Sequence, residues 1–289
     1  MSQKRIVSLL PSCTEIVCAL GCGSHLVGRS HECDYPPEIQ ALPACTAPRL
    51  DAGTGGAGID AVLLRELRPS LILAQSQPGG CAVSGEELEK AFPAPPAPRP
   101  EIVSVAPGRL EDVWKDIQTI ADAVGVSEEG RALLWRLKNR VVDIIEKTCM
   151  MTRRPAVACL EWLDPLTAAG NWLPEMVELA GGRNLFGEPG RPAPRLEWES
   201  FASSQPDVII LAPRGCDIAR ARRESQSLEN RPGWGKLHAV KSKNIFVADG
   251  GQYFNRPGPR IVDSVEMLSE MLHPKVFSFG HEGRGWARL

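Results

Sequence analysis

Residues 127–149 read SEEGRALLWRLKNRVVDIIEKTC, a stretch that contains no proline and follows no β-rich run. Ser127, Glu128 and Glu129 are typical of a helix start, because a polar cap and acidic side chains suit the first turn. Apolar residues then recur at helical spacing, at Leu133, Leu134, Leu137, Val141, Val142, Ile144 and Ile145. We predict one long helix that connects two lobes; an ordinary packing helix is the alternative.

On both sides of this stretch, short apolar runs alternate with helical patterns. Residues 71–74 follow Pro69 as a short strand and 110–124 read as a helix; 156–160 and 261–272 repeat the plan. Such alternation is typical of a mostly parallel sheet covered by helices. We therefore predict an α/β fold with an N-terminal lobe at residues 1–126, a connector helix at 127–152 and a C-terminal lobe at 153–289.

Composition excludes several classes of protein. Hydrophobic residues are 43% and charged residues 24%, which are globular values. The net charge is −2, so no bulk electrostatic attraction favours nucleic acid or an anionic membrane surface. No stretch reaches the roughly 18 consecutive apolar residues that a membrane-spanning helix needs. We predict no nucleic-acid partner and no membrane insertion.

The first residues and the cysteines bear on the compartment. Met1-Ser-Gln-Lys-Arg leads into Ile6–Leu10, and Pro11 ends that apolar run before it reaches the roughly 7–15 residues of a secretory signal. The chain has nine cysteines, an odd number, which fits free thiols in a reducing compartment. These observations predict a cytoplasmic protein.

Aromatic residues gather in the segments that follow the predicted strands. In open α/β sheets, ligands bind outside the carboxyl ends of the strands, so these segments are the candidates for a binding site. Their aromatic members are Tyr35, Trp162, Trp172, Trp198, Tyr253 and Phe254. Aromatic walls suit a large, flat, partly apolar ligand. The alternative is that two or three of the tryptophans are core residues.

His31-Glu32-Cys33-Asp34 offers four metal-capable side chains in a row. Adjacent residues cannot all point at one ion, so a metal site would use His31 and Cys33 with help from elsewhere, such as Cys81. Polar contact with a ligand and a purely structural turn are the other interpretations. An enzyme could use His31, Glu32 and Cys33 as acid/base and nucleophile. Because no G-x-S-x-G, H-E-x-x-H or Walker motif is present, we predict a non-catalytic protein.

Four segments resemble one known family. They are RIVSLLPSCTEI (5–16), GRSHECDYPP (28–37), LRPSLILA (67–74) and FNRPGPR (254–260). In this order they resemble the vitamin B12-binding and siderophore-binding proteins of ABC importers, over about residues 4–274. The resemblance implies two Rossmann-like lobes bridged by one helix, with the ligand in the cleft between them.

The resemblance also implies a ligand and its contacts. We expect cobalamin or a related corrinoid; haem, a siderophore and a bare metal ion are the alternatives. By resemblance, the Asp34-Tyr35 loop and Trp198 lie against the corrin, and Gln252, Tyr253 and Arg256 line the opposite side. The remaining candidate ligand-binding residues are His31, Glu32, Trp162, Trp172 and Phe254.

Permease docking is the point at which the sequence departs from the family. In exported relatives, one acidic residue in each lobe docks onto basic residues of the permease. Asp60 could be the first, but Ser204 stands about where the second is expected, with Glu199 nearby. Together with the N-terminus, this departure makes docking onto an ABC permease doubtful and leads us to expect a cytosolic carrier, store or sensor.

Overall fold

The computed structural model describes residues 4–48, 57–75, 83, 85–92 and 99–289. The chain divides into two compact units. Unit 1 contains residues 1–107 and 112–135, and unit 2 contains residues 108–111 and 136–289.

Unit 1 is built on a four-stranded parallel sheet. Its strands are β1 (Ile6–Ser8), β2 (Leu26–Arg29), β5 (Leu71–Gln75) and β6 (Glu101–Val105), in the order β2-β1-β5-β6. A separate antiparallel ribbon pairs β3 (Thr46–Pro48) with β4 (Ala57–Ile59). The sheet runs through the core because its inner strands are mostly apolar; Ile6, Leu71 and Ile72 are fully buried.

Four helices lie mainly in unit 1. They are α1 (Pro11–Ala19), α2 (Ala61–Glu66), α3 (Gly85–Ala91) and α4 (Leu110–Val124). The next helix, α5, covers Ser127–Thr148, and the division between the units falls inside it, after Trp135. The apolar stripe predicted for α5 is largely buried, at Leu133, Leu137, Val141 and Ile144, whereas Val142 is exposed.

Unit 2 contains a six-stranded mixed sheet. Its main path is β12-β11-β10-β7-β8, with β9 paired to β7. The bounds are β7 Ala156–Leu163, β8 Leu166–Ala168, β9 Arg183–Asn184, β10 Val208–Leu211, β11 Ile245–Ala248 and β12 Trp286–Arg288. Strands β7, β10 and β11 are parallel, while β8 and β12 are antiparallel edges.

Five α-helices accompany this sheet, and a π-helical turn follows β11. The helices are α6 (Leu173–Leu179), α7 (Trp198–Ser203), α8 (Ile218–Glu229), α9 (His238–Lys241) and α10 (Ile261–Leu272). The π-helical turn covers Gly250–Phe254. Helix α10 is buried along its whole length, which explains why its sequence has an apolar or small residue at most positions.

Two helices begin in ways that the local sequence patterns do not indicate. Ser12 and Glu15 have capping-box spacing, yet α1 begins at Pro11, and Leu10 caps it without a side-chain hydrogen bond. Proline is well suited to the first helical position because it has no N–H to leave unpaired there. Ile59 belongs to β4, and Asp60 caps α2 by accepting the N–H groups of Val62 and Leu63.

Across the described ranges, we find no helix with the length and apolar character that crossing a bilayer requires.

Candidate ligand-binding site

The segment after β2 holds the first group of candidate residues. Ser30 N donates to Ser8 O, and Cys45 N donates to Arg29 O, so residues 43–46 run alongside the end of β2. The His31 ring is partly exposed, and its Nδ1 lies 2.7 Å from Thr46 Oγ1. Thr46 itself is buried, so this hydroxyl fixes the orientation of the imidazole.

The Cys33 thiol points in a different direction from the His31 ring. Its Sγ lies 3.1 Å from Thr14 Oγ1 and 3.9 Å from Ser8 O, and the residue is 1% exposed. Cys81 lies outside the described residues. A metal site formed by His31, Cys33 and Cys81 therefore stays a prediction.

The other candidates of this segment are more open to solvent. Glu32 is exposed, Asp34 is half-buried and Tyr35 is 42% exposed. Gln40 Nε2 donates to the Asp34 carbonyl oxygen. His31, Glu32 and Tyr35 thus form an accessible polar and aromatic strip at the carboxyl end of the unit 1 sheet.

The π-helical turn after β11 is the corresponding feature of unit 2. The carboxylate of Asp249 caps it by accepting Gln252 N at 2.7 Å. Gly250 allows it to pack closely, because a Cβ there would lie 2.2 Å from Pro213 O and 2.6 Å from Ala212 O. The exits of β10 and β11 are therefore in direct contact. Wide π turns of this kind are frequent at functional sites.

Five of the candidate residues gather around this turn. Trp172 Nε1 donates to Phe254 O at 3.1 Å, and both side chains are buried. Arg260 lies over the Tyr253 ring, 5.0 Å from its centroid, and donates to Gln252 Oε1 at 3.2 Å. Burial raises the pKa of the Tyr253 hydroxyl, with Arg260 opposing the shift. Arg256 is buried as well.

A buried ion pair stands beside the turn. Arg214 follows β10, and its Nε and Nη2 lie 2.9 Å and 2.6 Å from Glu161 Oε1. The Glu161 side chain is only 5% exposed, whereas that of Arg214 is 53% exposed. Burial raises the pKa of Glu161 and Arg214 opposes that rise. The buried carboxylate of Glu161 thus holds the Arg214 guanidinium in place, and the guanidinium remains exposed to solvent.

Trp162 and Trp198 occupy different environments from this group. Trp162 is 39% exposed, and its Nε1 donates to Asp164 O. Trp198 is 9% exposed, packs against Phe201 and Trp234 in the core cluster, and donates to Pro232 O at 2.8 Å. The exposed indole is available to a ligand, and the buried one serves the core.

Sequence reasoning missed three residues of these groups: Thr46, Arg214 and Arg260. Arg214 lies in the segment that follows the apolar run of β10, and segments of that kind are where ligands bind in α/β sheets. Arg260 lies directly before α10, within the last segment that resembles the family. No sequence pattern near Thr46 indicated its role, because its contact with His31 depends on how residues 43–46 run alongside β2.

One further group of side chains has the composition of a metal site. Asp263, Glu266 and His281 bring ligand atoms within 4.8 Å of one another, the one such group in the described part of the chain. Arg140 fills its centre, with Nη2 lying 2.6 Å from Asp263 and 2.8 Å from Glu266. A guanidinium already balances the carboxylates, so the group is an ion-pair network that joins α5 to α10.

Sequence comparison finds relatives along almost the whole chain. An uncharacterized ABC transporter substrate-binding lipoprotein, YvrC of Bacillus subtilis, is 26% identical over 286 residues, covering 95% of this chain and 81% of the relative. A vitamin B12-binding protein of Photorhabdus laumondii is 26% identical over 270 residues, covering 93% and 88%.

These relatives overturn the cytoplasmic prediction. Lipoprotein and periplasmic substrate-binding proteins work outside the cytoplasm, and the chain matches them throughout its lobes. The prediction was wrong because it rested on the first ten residues and on the cysteines. Neither the first ten residues nor the cysteines determine the compartment in which the folded lobes bind a ligand.

Solved structures agree on the fold. The periplasmic heme-binding protein RhuT of Roseiflexus, in its apo form, superposes with a TM-score of 0.72 at 24% identity, covering 94% of this chain and 99% of that one. The predicted class of two α/β lobes is thereby confirmed. A family model described as periplasmic binding protein matches residues 6–250, and on the strength of that match the chain belongs to the periplasmic binding protein family.

Proposed function

We propose that this chain is the substrate-binding component of an ABC importer, acting outside the cytoplasm on a metal chelate of the cobalamin type. In this role it captures the ligand without chemical change and delivers it to a permease. The observation that carries the proposal is the group around residues 250–254, where the partly exposed Tyr253 ring lies under Arg260 and is supported from behind by the buried Trp172 and Phe254.

Rings and guanidinium groups together suit a flat, partly apolar ligand with oxygen acceptors on its edge. The corrin ring with its peripheral amides has this character, and aromatic side chains supply large contact areas with little loss of entropy. The similarity to a vitamin B12-binding protein over 93% of the chain supports the same class of ligand.

The Cys33 thiol and the His31 ring have different hydrogen-bond partners. A thiol nucleophile needs a base within hydrogen-bond reach. Cys33 Sγ contacts Thr14 and Ser8, while the His31 ring contacts Thr46. The acid/base and nucleophile arrangement considered from the sequence thus gains no support from these contacts.

Haem is the second candidate ligand. Arg214 follows β10 in unit 2, and its guanidinium is half-exposed beside Glu161. Guanidinium groups pair well with carboxylates, which haem carries and the corrin of cobalamin carries as amides. One assay separates the two candidates.

Purified protein would be titrated with cyanocobalamin, haemin and a ferric hydroxamate by calorimetry, then desalted and examined by absorbance. We expect the corrinoid to bind with a Kd below about 1 µM, or −8 kcal/mol. Tyr253→Ala should weaken that binding by about 1–3 kcal/mol, and Tyr253→Phe, which keeps the ring, should weaken it far less. Haemin binding in place of the corrinoid would select the second candidate. Binding of none of the three would overturn the proposal.

A further inference from the structure

Three hydroxyl and imidazole groups form a buried chain at the end of β2. Ser30 Oγ lies 3.0 Å from Thr46 Oγ1, and Thr46 Oγ1 lies 2.7 Å from His31 Nδ1. The backbone N–H of His31 also donates to Thr46 Oγ1 at 3.0 Å, and that of Glu32 donates to Ser30 Oγ at 3.3 Å. Ser30 and Thr46 are 2% and 5% exposed, so bulk water does not compete for these groups.

The hydrogen count of this chain admits one assignment for the neutral imidazole. A hydroxyl donates one hydrogen and accepts two. Among the described residues, the Ser30 hydroxyl has one acceptor within reach, Thr46 Oγ1. Thr46 Oγ1 then accepts twice, from Ser30 and from the His31 backbone. Its own hydrogen must go to His31 Nδ1, because leaving a buried hydroxyl unpaired costs roughly 1–3 kcal/mol.

The opposite tautomer would leave the Ser30 hydrogen unpaired. If Nδ1 carried the proton and donated to Thr46, the threonine hydrogen would point at Ser30 Oγ. That oxygen already accepts Glu32 N, and its own hydrogen would have no acceptor among the described residues. The chain of hydroxyls therefore places the imidazole proton on Nε2.

We propose that His31 presents an Nε2–H donor to the bound chelate and reads an oxygen acceptor on its edge, an amide carbonyl or a carboxylate. It does not coordinate the metal, because a neutral imidazole ligates through a nitrogen that carries no proton. The ring is partly exposed, and its Nε2 has no hydrogen-bond partner in the described part of the chain. This contact rests on the proposed function; the position of the proton does not.

The segment that carries His31 is held in place independently of any ligand. Arg29 Nη1 donates to the carbonyl oxygens of Ser30 and His31, at 2.9 Å and 3.5 Å. Ser30 N donates to Ser8 O at 2.8 Å, which ties the segment to β1. A donor with a fixed direction gives specificity at little entropic cost.

The first test locates the proton without a ligand. Protein with ¹⁵N-labelled histidine would be examined by long-range ¹H–¹⁵N correlation at a pH where His31 is neutral. We expect the pattern of the Nε2–H tautomer for His31, kept in Thr46→Ser and lost or mixed in Thr46→Val, which removes the hydroxyl. The Nδ1–H pattern in the unsubstituted protein would overturn the proposal.

The second test uses cyanocobalamin and haemin as probes. His31→Ala should weaken binding about tenfold, which is 1.4 kcal/mol, and His31→Gln, whose amide can donate, should recover most of that loss. The visible spectrum of the bound chelate should be the same in both variants as in the unsubstituted protein. A spectral change that depends on His31 would mean metal coordination and would overturn the proposal. If neither probe binds, the ligand contact proposed for His31 fails together with the corrinoid and haem candidates, while the tautomer measurement still decides the proton position.

Discussion

At the scale of single residues, solvent exposure separates two tryptophans that both lie in candidate ligand-binding segments. The indole N–H groups of Trp198 and Trp162 both donate to a nearby carbonyl oxygen. The rings of Phe201 and Trp234 lie 5.4 Å and 6.4 Å from that of Trp198, whereas Trp162 is 39% exposed. We therefore expect Trp198 to contribute to the stability of the fold and Trp162 to be available to a ligand.

Trp198→Ala should lower the free energy of unfolding by about 3–5 kcal/mol, because it removes a buried aromatic side chain and leaves a cavity. Trp162→Ala is the matched control and should cost less than about 1 kcal/mol. Urea unfolding followed by circular dichroism measures both. Equal losses in the two variants would contradict the assignment of Trp198 to the core.

At the scale of elements, the turn at 250–254 and the C-terminal segment of unit 2 are held in place by different kinds of interaction. The turn at 250–254 depends on close backbone packing, since Gly250 leaves no room for a side chain. The C-terminal segment depends on polar contacts with α10. Glu270 accepts the N–H groups of Phe279 and Gly280 and the indole N–H of Trp286. Glu266 accepts from His281 at 2.8 Å.

Gly250→Ala should destabilise the fold by about 3 kcal/mol or more, because the new Cβ would meet the backbone oxygens of Ala212 and Pro213. Gly251→Ala is the matched control, since the nearest atom to its Cβ would be 3.4 Å away, an ordinary contact. Thermal unfolding of the two variants tests the contact. If both melted at the same temperature, the close packing of the strand exits would be disproved.

The contact between His281 and Glu266 should make stability fall as pH rises above neutrality. The hydrogen bond to Glu266 raises the pKa of His281 above its usual 6.5, with Asp263 and Glu270 adding to the shift. A raised folded-state pKa gives stability that is complete below the unfolded pKa and is lost as pH rises through the folded one. Arg140 faces the same carboxylates and stays charged throughout.

Urea unfolding between pH 6 and pH 9 measures this dependence. The unsubstituted protein should lose stability across the window above pH 6.5, and His281→Gln should flatten that part of the curve. His273 provides the contrast, because burial lowers its pKa and its contribution has the opposite sign. A curve that His281→Gln leaves unchanged would rule out the linkage.

At the scale of the whole molecule, each unit contains the same kind of connection between a short helix and an inner strand, which we call a joint. In unit 1, Arg68 has a φ of 44° directly before Pro69 and β5; in unit 2, Gln205 has a φ of 44° directly before Pro206 and β10. Each joint leads from a short helix into an inner strand. The internal repeat noticed in the sequence thus extends to the backbone conformation of single residues.

Substitution at Arg68 tests this joint. A β-branched residue resists positive φ most strongly, so Arg68→Val should lower the free energy of unfolding by about 1–2 kcal/mol. Arg68→Gly tolerates the conformation and should change stability by less than about 1 kcal/mol. Arg68 is exposed, so lost packing does not confuse the comparison. Equal destabilisation by the two variants, seen in urea unfolding, would argue against left-handed strain.

The sequence predicted the helices and strands whose apolar patterns lie within the element itself. Helices α4, α5 and α10 and strands β5 and β7 lie close to their predicted positions because each carries its own apolar pattern. The ribbon of β3 and β4 and the antiparallel edges β8 and β12 were missed, since their pairing depends on residues elsewhere in the chain. The hydrogen bond between His31 and Thr46 was not predicted for the same reason.

Burial of three of the thiols has a consequence for their reactivity towards oxidants. Cys13 and Cys159 are buried, which raises both pKa values, that of Cys159 to about 12, and burial raises the pKa of Cys45 to about 11. Disulfide exchange requires a thiolate, and these groups supply almost none near neutral pH. These three cysteines can therefore stay unpaired in the folded chain even where oxidants are present. An unfolded chain lacks this protection, so its rate of folding would compete with its rate of oxidation.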